Sequence, residues 1–123
     1  MKKILITGCS SGFGFEAAKY LSKKGHHVYA TMRNAAGSNA NAAVALQQFA
    51  TTHKVKIDVI DLDVTSDESV SVAMTQIPTV DVLINNAGRG FGGPVEAFSA
   101  AECLAQLDLN IVGTIRMAKA VLP

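Results

Sequence analysis

Three glycines near the start of the chain have the spacing of a phosphate-binding turn. Gly8, Gly12 and Gly14 directly follow the apolar run Ile4–Ile6, and apolar residues at helical spacing follow Gly14. A strand, a glycine-rich turn and a helix in this order point backbone N–H groups and the positive end of the helix at one place. An anion such as a phosphate group is the ligand that this arrangement suits.

The turn residues have separate expected roles. Gly8 permits a tight turn, Gly12 leaves room for a diphosphate against the backbone, and Gly14 lets the helix lie close to the sheet. The hydroxyls of Ser10 and Ser11 add hydrogen-bond donors. The Gly-x3-Gly-x-Gly spacing differs from Gly-x-Gly-x-x-Gly, and no Lys directly follows the second or third glycine, which argues against an ATP-type loop. A glycine turn without a ligand is the alternative.

Four apolar strands alternate with four helical segments along the chain, as the hydrophobic spacing indicates. The predicted strands are Lys3–Thr7, His27–Met32, Val55–Leu62 and Val80–Asn85. The predicted helices are Phe13–Lys24, Ala42–Thr52, a helix opened by a capping box at Thr65–Glu68 and closed by Pro78, and a helix from a capping box at Ser99–Glu102 to Leu122 with a break near Asp108. Continuous apolar strands are typical of a parallel sheet covered on both faces, so the sequence predicts one doubly wound α/β domain over residues 1–123.

Polar residues stand at the carboxyl end of each predicted strand, where ligands bind in such sheets. These ends are the glycine turn, Thr31–Arg33, Asp61–Val64 and Asn85–Gly88. A carboxylate at the end of the second strand would mark NAD binding through the ribose 2′-hydroxyl, but no Asp or Glu lies between Ala17 and Ile57. Arg33 stands there instead, and a guanidinium matches a 2′-phosphate. This favours NADP over NAD, with a solvated loop arginine as the alternative.

Composition restricts the remaining function classes. Residues 1–57 hold eight of the eleven Lys and Arg residues and one of the ten acids, which indicates an anionic ligand near the first half or a polarised surface without a partner. Aromatic residues suited to base stacking do not accompany the basic ones, so we expect no nucleic-acid binding. Cys9 and Cys103 indicate neither a disulfide framework nor zinc. Without a membrane-spanning run or a signal h-region, we expect a cytoplasmic protein without membrane contact.

Four motifs, in order, resemble those of the classical short-chain dehydrogenases/reductases. Thr7–Gly14, which reads Thr-Gly-Cys-Ser-Ser-Gly-Phe-Gly, is similar to that family's Thr-Gly-x3-Gly-x-Gly turn, and Asn85–Gly88 is similar to its Asn-Asn-Ala-Gly motif. Asp63-Val64 resembles the family's adenine contact, and Asn110 stands where the family carries the Asn of its catalytic tetrad. The family often has Ile or Leu at the position of Phe13, where only the backbone matters.

The resemblance implies a Rossmann-type sheet with strand order 3-2-1-4 and hydride transfer between NAD(P)(H) and an alcohol or carbonyl substrate. The residues that it assigns to the diphosphate and the adenosine ribose are Gly8, Ser10, Ser11, Gly12, Phe13 and Gly14. It assigns Arg33 to the 2′-phosphate, Asp63 and Val64 to adenine, Asn86, Ala87 and Gly88 to the sugars, and Asn110 to catalysis.

The resemblance covers only the front part of the family's domain. The family's catalytic Ser and its Tyr-x-x-x-Lys motif would lie beyond residue 123, so we expect this chain alone to bind the cofactor weakly and to be inactive. Tyr20–Lys24 matches the letters of that motif but lies on the first helix, away from the strand ends. The fourth strand would be an open apolar edge, which predicts self-association or a C-terminal segment that covers the edge. A non-catalytic nucleotide-binding or sensor module of the same fold is the alternative function.

Overall fold

The first strand lies inside the sheet because both of its faces are apolar. In the computed structural model, which describes residues 1–123, β1 (Lys3–Ile6) pairs in parallel with β2 (His27–Met32) on one side and with β4 (Val82–Ile84) on the other. A further strand, β3 (Ile57–Asp61), extends the sheet beyond β2. The strand order is therefore β3-β2-β1-β4, which confirms the predicted order.

Helical segments connect the strands and follow the last of them. They are α1 (Gly12–Lys23), α2 (Ala40–His53), α3 (Asp67–Met74), α4 (Ala100–Leu107) and α5 (Gly113–Val121), with a 3-10 turn at Val95–Ala97 and a π-helical turn at Asp108–Val112. No helix of this chain combines the length and the apolar character that crossing a membrane requires.

Side chains of β1 alternate between two hydrophobic layers, one on each face of the sheet. Ile6 packs in one layer with Leu46 of α2, and Leu5 packs in the other layer with Met117 of α5. All four side chains are fully buried. Helices α1 and α2 cover the first face and α3 and α5 cover the second, so the predicted doubly wound architecture is confirmed.

The direction of sheet growth reverses at β1. The chain first adds β2 and β3 on one side of β1 and then crosses to place β4 on the other side. The chain leaves β1 toward the face of the sheet that α1 covers and leaves β4 toward the face that α5 covers. A crevice therefore forms between the carboxyl ends of these two strands. In open α/β sheets this is the position at which ligands bind.

Three strands are shorter than predicted, β1 by the single residue Thr7 and the other two by more. For β3 and β4 the neighbouring elements limit the ladder. The Val55 N–H donates to the Ala50 carbonyl oxygen and closes α2, whose C-cap residue, Lys54, has a left-handed φ of 53°. β3 therefore begins at residue 57 rather than 55. Strand β4 pairs only along Ile4–Ile6 of β1, so it covers three residues instead of the six predicted.

The third helix begins one residue later than predicted. Its N-cap is Ser66, whose Oγ accepts a hydrogen bond from the Ser69 N–H at 3.1 Å. The Thr65 hydroxyl instead donates to Asp63 Oδ1 at 2.7 Å, so the predicted capping box at 65–68 is wrong. The same helix ends at Met74, before Pro78. The Thr65 hydroxyl, which the pattern assigned to the cap, is bonded to the nearby Asp63 carboxylate instead of to the helix.

The capping box at Ser99 and Glu102 is confirmed. The Ser99 Oγ accepts from the Glu102 N–H at 3.2 Å, and the Glu102 carboxylate accepts from the Ser99 N–H at 2.8 Å. These bonds to Ser99 lower the pKa of Glu102. The predicted break near Asp108 is the π-helical turn, where the Asn110 carbonyl oxygen accepts from the Thr114 hydroxyl of α5 at 3.1 Å. Turns of this kind are rare and often occur at functional sites.

Candidate nucleotide-binding site

A cavity of about 380 Å³ opens at the carboxyl ends of the four strands. Its volume is in the range of small-molecule and cofactor sites. The residues that line it come from all four strand ends and from the π-helical turn: Gly8, Ser10, Ser11, Phe13, Met32, Arg33, Asn39, Leu62, Val64, Asn86, Ala87, Gly88, Arg89 and Leu109.

Hydrogen bonds join the ends of β1 and β4 at the floor of this cavity. The Thr7 hydroxyl oxygen accepts from the N–H groups of Asn86 and Ala87 at 3.0 and 2.9 Å. The Asn86 side-chain amide donates to the carbonyl oxygens of Thr7 and Gly8 at 3.0 and 3.1 Å. These bonds satisfy backbone groups that have left the strand ladder. Hydrogen bonds within the chain therefore join the two strand ends that form the floor.

Gly8 and Gly14 are required by this close packing. A Cβ on Gly8 would lie 2.8 Å from the Ala87 Cα, and Gly8 has a φ of +71°. A Cβ on Gly14 would lie 2.5 Å from the Asn86 Nδ2 and would overlap the Gly8 carbonyl oxygen. Gly12 differs, because its φ is +59° and no atom lies within 4 Å of the position of its Cβ. The backbone at Gly12 is open to an approaching group.

The amino terminus of α1 is free to receive an anion. Ser11 is the N-cap residue, but its side chain makes no capping hydrogen bond, and the first turn carries no acidic residue. The first N–H groups of a helix have no partner within the helix, and the helix dipole favours negative charge there. Ser10, Ser11 and Phe13 all line the cavity. A phosphate group in the cavity would meet these N–H groups.

Cys9 points away from the cavity and holds the turn onto the sheet. Its N–H donates to the Thr31 carbonyl oxygen at 2.8 Å, and its Sγ donates to the Ile6 carbonyl oxygen at 3.3 Å. Burial raises the pKa of the Cys9 thiol to about 12. The thiol is therefore protonated at neutral pH and acts as an apolar core group.

The loop after β2 presents Arg33 and Asn39 to the cavity. Asn34 turns the chain with a φ of +49°, and the Ala35 N–H donates to the Asp61 carboxylate at the end of β3 at 3.2 Å. The Asn39 side-chain amide donates to the Arg33 carbonyl oxygen at 2.5 Å. These bonds fix the loop at both ends, and the Arg33 guanidinium takes part in no salt bridge.

Leu62 and Val64 form a buried apolar wall after β3. Asp63, between them, does not line the cavity. Its carboxylate accepts from the Thr65 N–H at 2.9 Å and from the Thr65 hydroxyl at 2.7 Å. Val64 therefore lines the cavity, whereas the Asp63 side chain closes a turn.

Asn110 holds the opposite wall, after β4. Its Oδ1 accepts from the Arg89 N–H at 2.9 Å, and its Nδ2 donates to the Arg89 carbonyl oxygen at 2.7 Å. A Cβ on Gly88 would lie 2.7 Å from the Asn110 Oδ1. Asn110 does not line the cavity itself, whereas its neighbour Leu109 does. In this structure its side chain positions the backbone of the wall.

Positive charge alone faces the cavity. Arg33 and Arg89 are the ionisable residues among those that line it, and none of the lining residues carries a carboxylate. Such a site attracts a ligand with several negative charges. None of the lining residues is a Tyr, His, Lys or Cys either, and Tyr20 and Tyr29 lie elsewhere, on α1 and in β2. The cavity lining therefore offers no group suited to proton transfer near neutral pH.

Most of the predicted site residues surround one cavity. Those that line it are Gly8, Ser10, Ser11, Phe13, Arg33, Val64, Asn86, Ala87 and Gly88. Gly12, Gly14, Asp63 and Asn110 do not line it. The lining also contains five residues that were not predicted: Met32, Asn39, Leu62, Arg89 and Leu109. Four of these adjoin a predicted residue in the chain and were recoverable from it, but Asn39 reaches the cavity through the folding of a loop that no spacing rule describes.

The parallel doubly wound sheet, with a glycine turn and a cavity at the point where the strand order reverses, is the architecture of a Rossmann-type α/β domain. Residues 2–123 match the family model of short chain dehydrogenase. The chain belongs to this family.

Curated relatives agree with this assignment. The chain is 43% identical to retinol dehydrogenase 8 of Homo sapiens, over 99% of this chain and 39% of that protein. It is 40% identical to 3-ketodihydrosphingosine reductase of Bacteroides thetaiotaomicron, over 98% of this chain and 40% of that protein. The chain thus spans about two fifths of the length of these relatives.

Solved structures show the same fold. Actinorhodin polyketide ketoreductase, solved with NADPH, matches with a TM-score of 0.82 and 30% identity, over 98% of this chain and 46% of that one. Gluconate 5-dehydrogenase from Burkholderia cenocepacia, solved with NADP and tartrate, matches with a TM-score of 0.83 and 27% identity, over 98% of this chain and 47% of that one.

Proposed function

We propose that this chain binds NADP(H) for hydride transfer between the cofactor and an alcohol or carbonyl substrate. The observation that carries the proposal is the cavity at the point where the strand order reverses. This cavity has a glycine turn on its floor, Arg33 at the end of β2 and no carboxylate in its lining. Both of the solved relatives named above contain NADPH or NADP. When bound, the cofactor would donate hydride to a carbonyl or accept it from an alcohol, and the residues of this chain would bind and orient the cofactor.

Each part of such a cofactor has residues that suit it. Gly12 and the free N–H groups of α1 suit the diphosphate, because the backbone there is open and uncapped. Val64 offers an apolar surface to a base, and the segment from Asn86 to Gly88 forms the wall nearest β4. A dinucleotide would therefore span the cavity from the end of β2 to the end of β4.

Arg33 is the residue that we assign to the 2′-phosphate. It stands at the end of β2, lines the cavity and has no acidic partner to compete with a phosphate. A guanidinium can make two parallel hydrogen bonds to a phosphate group, and NADH lacks that group. We infer a preference for NADPH over NADH that depends on this side chain.

The test compares two arginines of the same cavity. Dissociation constants for NADPH, NADH and 2′,5′-ADP are measured by calorimetry for the wild type, Arg33→Ala and the matched control Arg89→Ala. We expect Arg33→Ala to reduce the NADPH preference about tenfold or more, since a charge-assisted phosphate contact is lost. Arg89→Ala should weaken NADPH and NADH by similar factors. A ratio that Arg33→Ala leaves unchanged would refute the assignment.

We further infer that these residues alone bind the cofactor without reducing a carbonyl substrate. The basis is the cavity lining, which contains no group that can donate a proton near neutral pH. The test follows NADPH absorbance in the presence of cyclohexanone and the chain. Steady loss of NADPH that depends on the ketone would contradict this inference.

We also propose that the free side of β4 pairs with a strand from a second copy of this chain. Strand β4 is at the edge of the sheet, and Val82 on it is exposed. The C-terminal segment does not cover this edge, because α5 packs against α3 on a face of the sheet. Unpaired apolar strands favour pairing with another chain.

A further inference from the structure

The Arg116 side chain connects three separate segments. Its Nε donates to the Asp67 carboxylate at 2.5 Å, and its Nη1 donates to the Val64 carbonyl oxygen at 2.5 Å. Its Nη2 lies 3.6 Å from the Asp108 carboxylate. The side chain is only 18% exposed although it belongs to the second-last turn of the chain. The bond to Asp67 raises the pKa of Arg116, so its charge persists at every practical pH.

The segments that Arg116 joins carry the two walls of the cavity. Val64 is the apolar wall after β3. Asp108 is the first residue of the π-helical turn, whose Asn110 holds the backbone of Arg89 in the wall after β4. The guanidinium therefore bridges the carbonyl of one wall to the turn that fixes the other.

Packing leaves little freedom between these parts. A Cβ on Gly113 would lie 2.8 Å from the Val64 Cγ2, so the start of α5 rests directly on the first wall. Gly113 itself follows the π-helical turn. A displacement of α5 would therefore move Val64 and Asn110 together, unless the Arg116 bonds break first.

We propose that Arg116 is a positioning residue that sets the distance between the Val64 wall and the Gly88–Arg89 wall, and so sets the affinity for a dinucleotide that spans both. The ligand part of this inference rests on the proposed function. The exposed ion pair with Asp67 would add little by itself, because Asp67 is 89% exposed. The bond that matters is the one to the Val64 carbonyl oxygen, which a planar guanidinium can make together with the contacts to both carboxylates and a Lys ammonium cannot.

The experiment uses Arg116→Met, the milder Arg116→Lys, and the control Ile57→Val. Ile57 is a core residue of β3 in the other hydrophobic layer, so its variant reports general destabilisation without touching either wall. Two quantities are measured for each chain. The first is the hydrogen-exchange rate of the Arg89 amide without ligand, and the second is the ratio of the dissociation constants for 2′,5′-ADP and NADPH. 2′,5′-ADP reaches only the adenosine end, whereas NADPH spans both walls.

We expect both Arg116 variants to speed exchange of the Arg89 amide about fivefold relative to Ile57→Val at matched stability, because the Asn110 clamp loosens. We also expect the ratio of dissociation constants to fall about fivefold, since NADPH loses more than 2′,5′-ADP. Unchanged Arg89 exchange in a folded Arg116→Lys chain would overturn the inference, as would equal weakening of both ligands. Faster exchange in a chain whose wild type binds no NADPH would refute the proposed function and leave the link between the walls supported.

Discussion

The hydroxyl of Thr7, at the end of β1, accepts a hydrogen bond from the backbone N–H of Asn86, at the end of β4. The oxygen is buried and accepts from the Asn86 N–H at 3.0 Å and from the next N–H at 2.9 Å. A single side chain thus satisfies two donors at the point where the strand order reverses. Removal of that oxygen would leave both part-buried donors without this partner, which costs more than an ordinary hydrogen bond contributes.

Thr7→Val is expected to lower the free energy of unfolding by about 2 kcal/mol, since Val keeps the shape of the side chain and loses the acceptor. Thr7→Ser keeps the acceptor and is the matched control, with a smaller loss from one missing methyl group. Urea denaturation measures both, and the transition midpoint should shift with an unchanged slope. A Val variant as stable as the Ser variant would show that the hydroxyl is not required.

Gly12 and Gly25 form a second matched pair. Both have a positive φ, and no atom lies within 4 Å of the Cβ position of either, but Gly12 adjoins the cavity and Gly25 follows the far end of α1. Substitution by Ala should cost about 1 kcal/mol of stability at each site, from backbone strain alone. Only Gly12→Ala should also weaken NADPH binding, because its methyl group occupies the open approach to the backbone. Equal NADPH dissociation constants in the two variants would place the diphosphate elsewhere.

The sheet was the most predictable part of the molecule. Apolar strands such as β1 must be covered on both faces, so their number, their parallel direction and the alternation with helices followed from the residues. The order of the strands followed from the resemblance, and the structure confirms it. Element ends were less predictable, because they depend on competition. The Thr65 hydroxyl bonds to the Asp63 carboxylate and does not cap α3. The Val55 N–H bonds to the Ala50 carbonyl oxygen at the end of α2 and does not join the sheet.

The residues of the site were predictable where close packing of the backbone dictates the residue type. Gly8 and Gly14 occupy positions that a Cβ would block, so their residue type carried the information. Asn39 and Arg116 carried no such signal, because their partners Arg33 and Val64 are brought to them by a loop and by the packing of α5. Contacts between residues distant in the chain leave no periodicity for a sequence pattern to reveal.

Gly88 and Asn110 should show strong coupling in a double-mutant cycle. Gly88→Ala places a Cβ 2.7 Å from the Asn110 Oδ1, so the Asn110 side chain must shift and its hydrogen bond from the Arg89 N–H is disturbed. We expect Gly88→Ala and Asn110→Ala each to destabilise the chain, and the double variant to be less destabilised than the sum of the two by about 1 kcal/mol. Urea denaturation of the four proteins gives the coupling energy. Additive effects would mean that the wall relaxes without cost.

The edge strand gives a prediction about association. Val82 is 40% exposed on the open edge at β4, and a Lys there would place a charge where a second strand must pair. Sedimentation velocity should show a concentration-dependent dimer or larger species for the wild type and a smaller fraction of it for Val82→Lys. Val72→Lys, on the exposed surface of α3, is the control and should leave association unchanged. A wild type that is monomeric at all concentrations would refute pairing between copies.

The buried Cys9 thiol predicts a loss of stability at alkaline pH. Burial raises its pKa in the folded chain from 9.0 to about 12, whereas the unfolded chain keeps the ordinary value. The folded state therefore holds the proton more tightly, so the contribution is fully present below pH 9.0 and is lost progressively as the pH rises toward 12. Cys9→Ala should show a shallower decline of melting temperature over this range than the wild type, whatever its stability at neutral pH. Other groups, including Tyr29, whose pKa burial also raises, contribute equally to both proteins and cancel in the difference.

Exposed Cys103 provides a second readout, because a maleimide should label it rapidly and label Cys9 only when the turn opens. Parallel pH profiles, or rapid labelling of Cys9 in a folded Cys103→Ser chain, would contradict the burial of the Cys9 thiol.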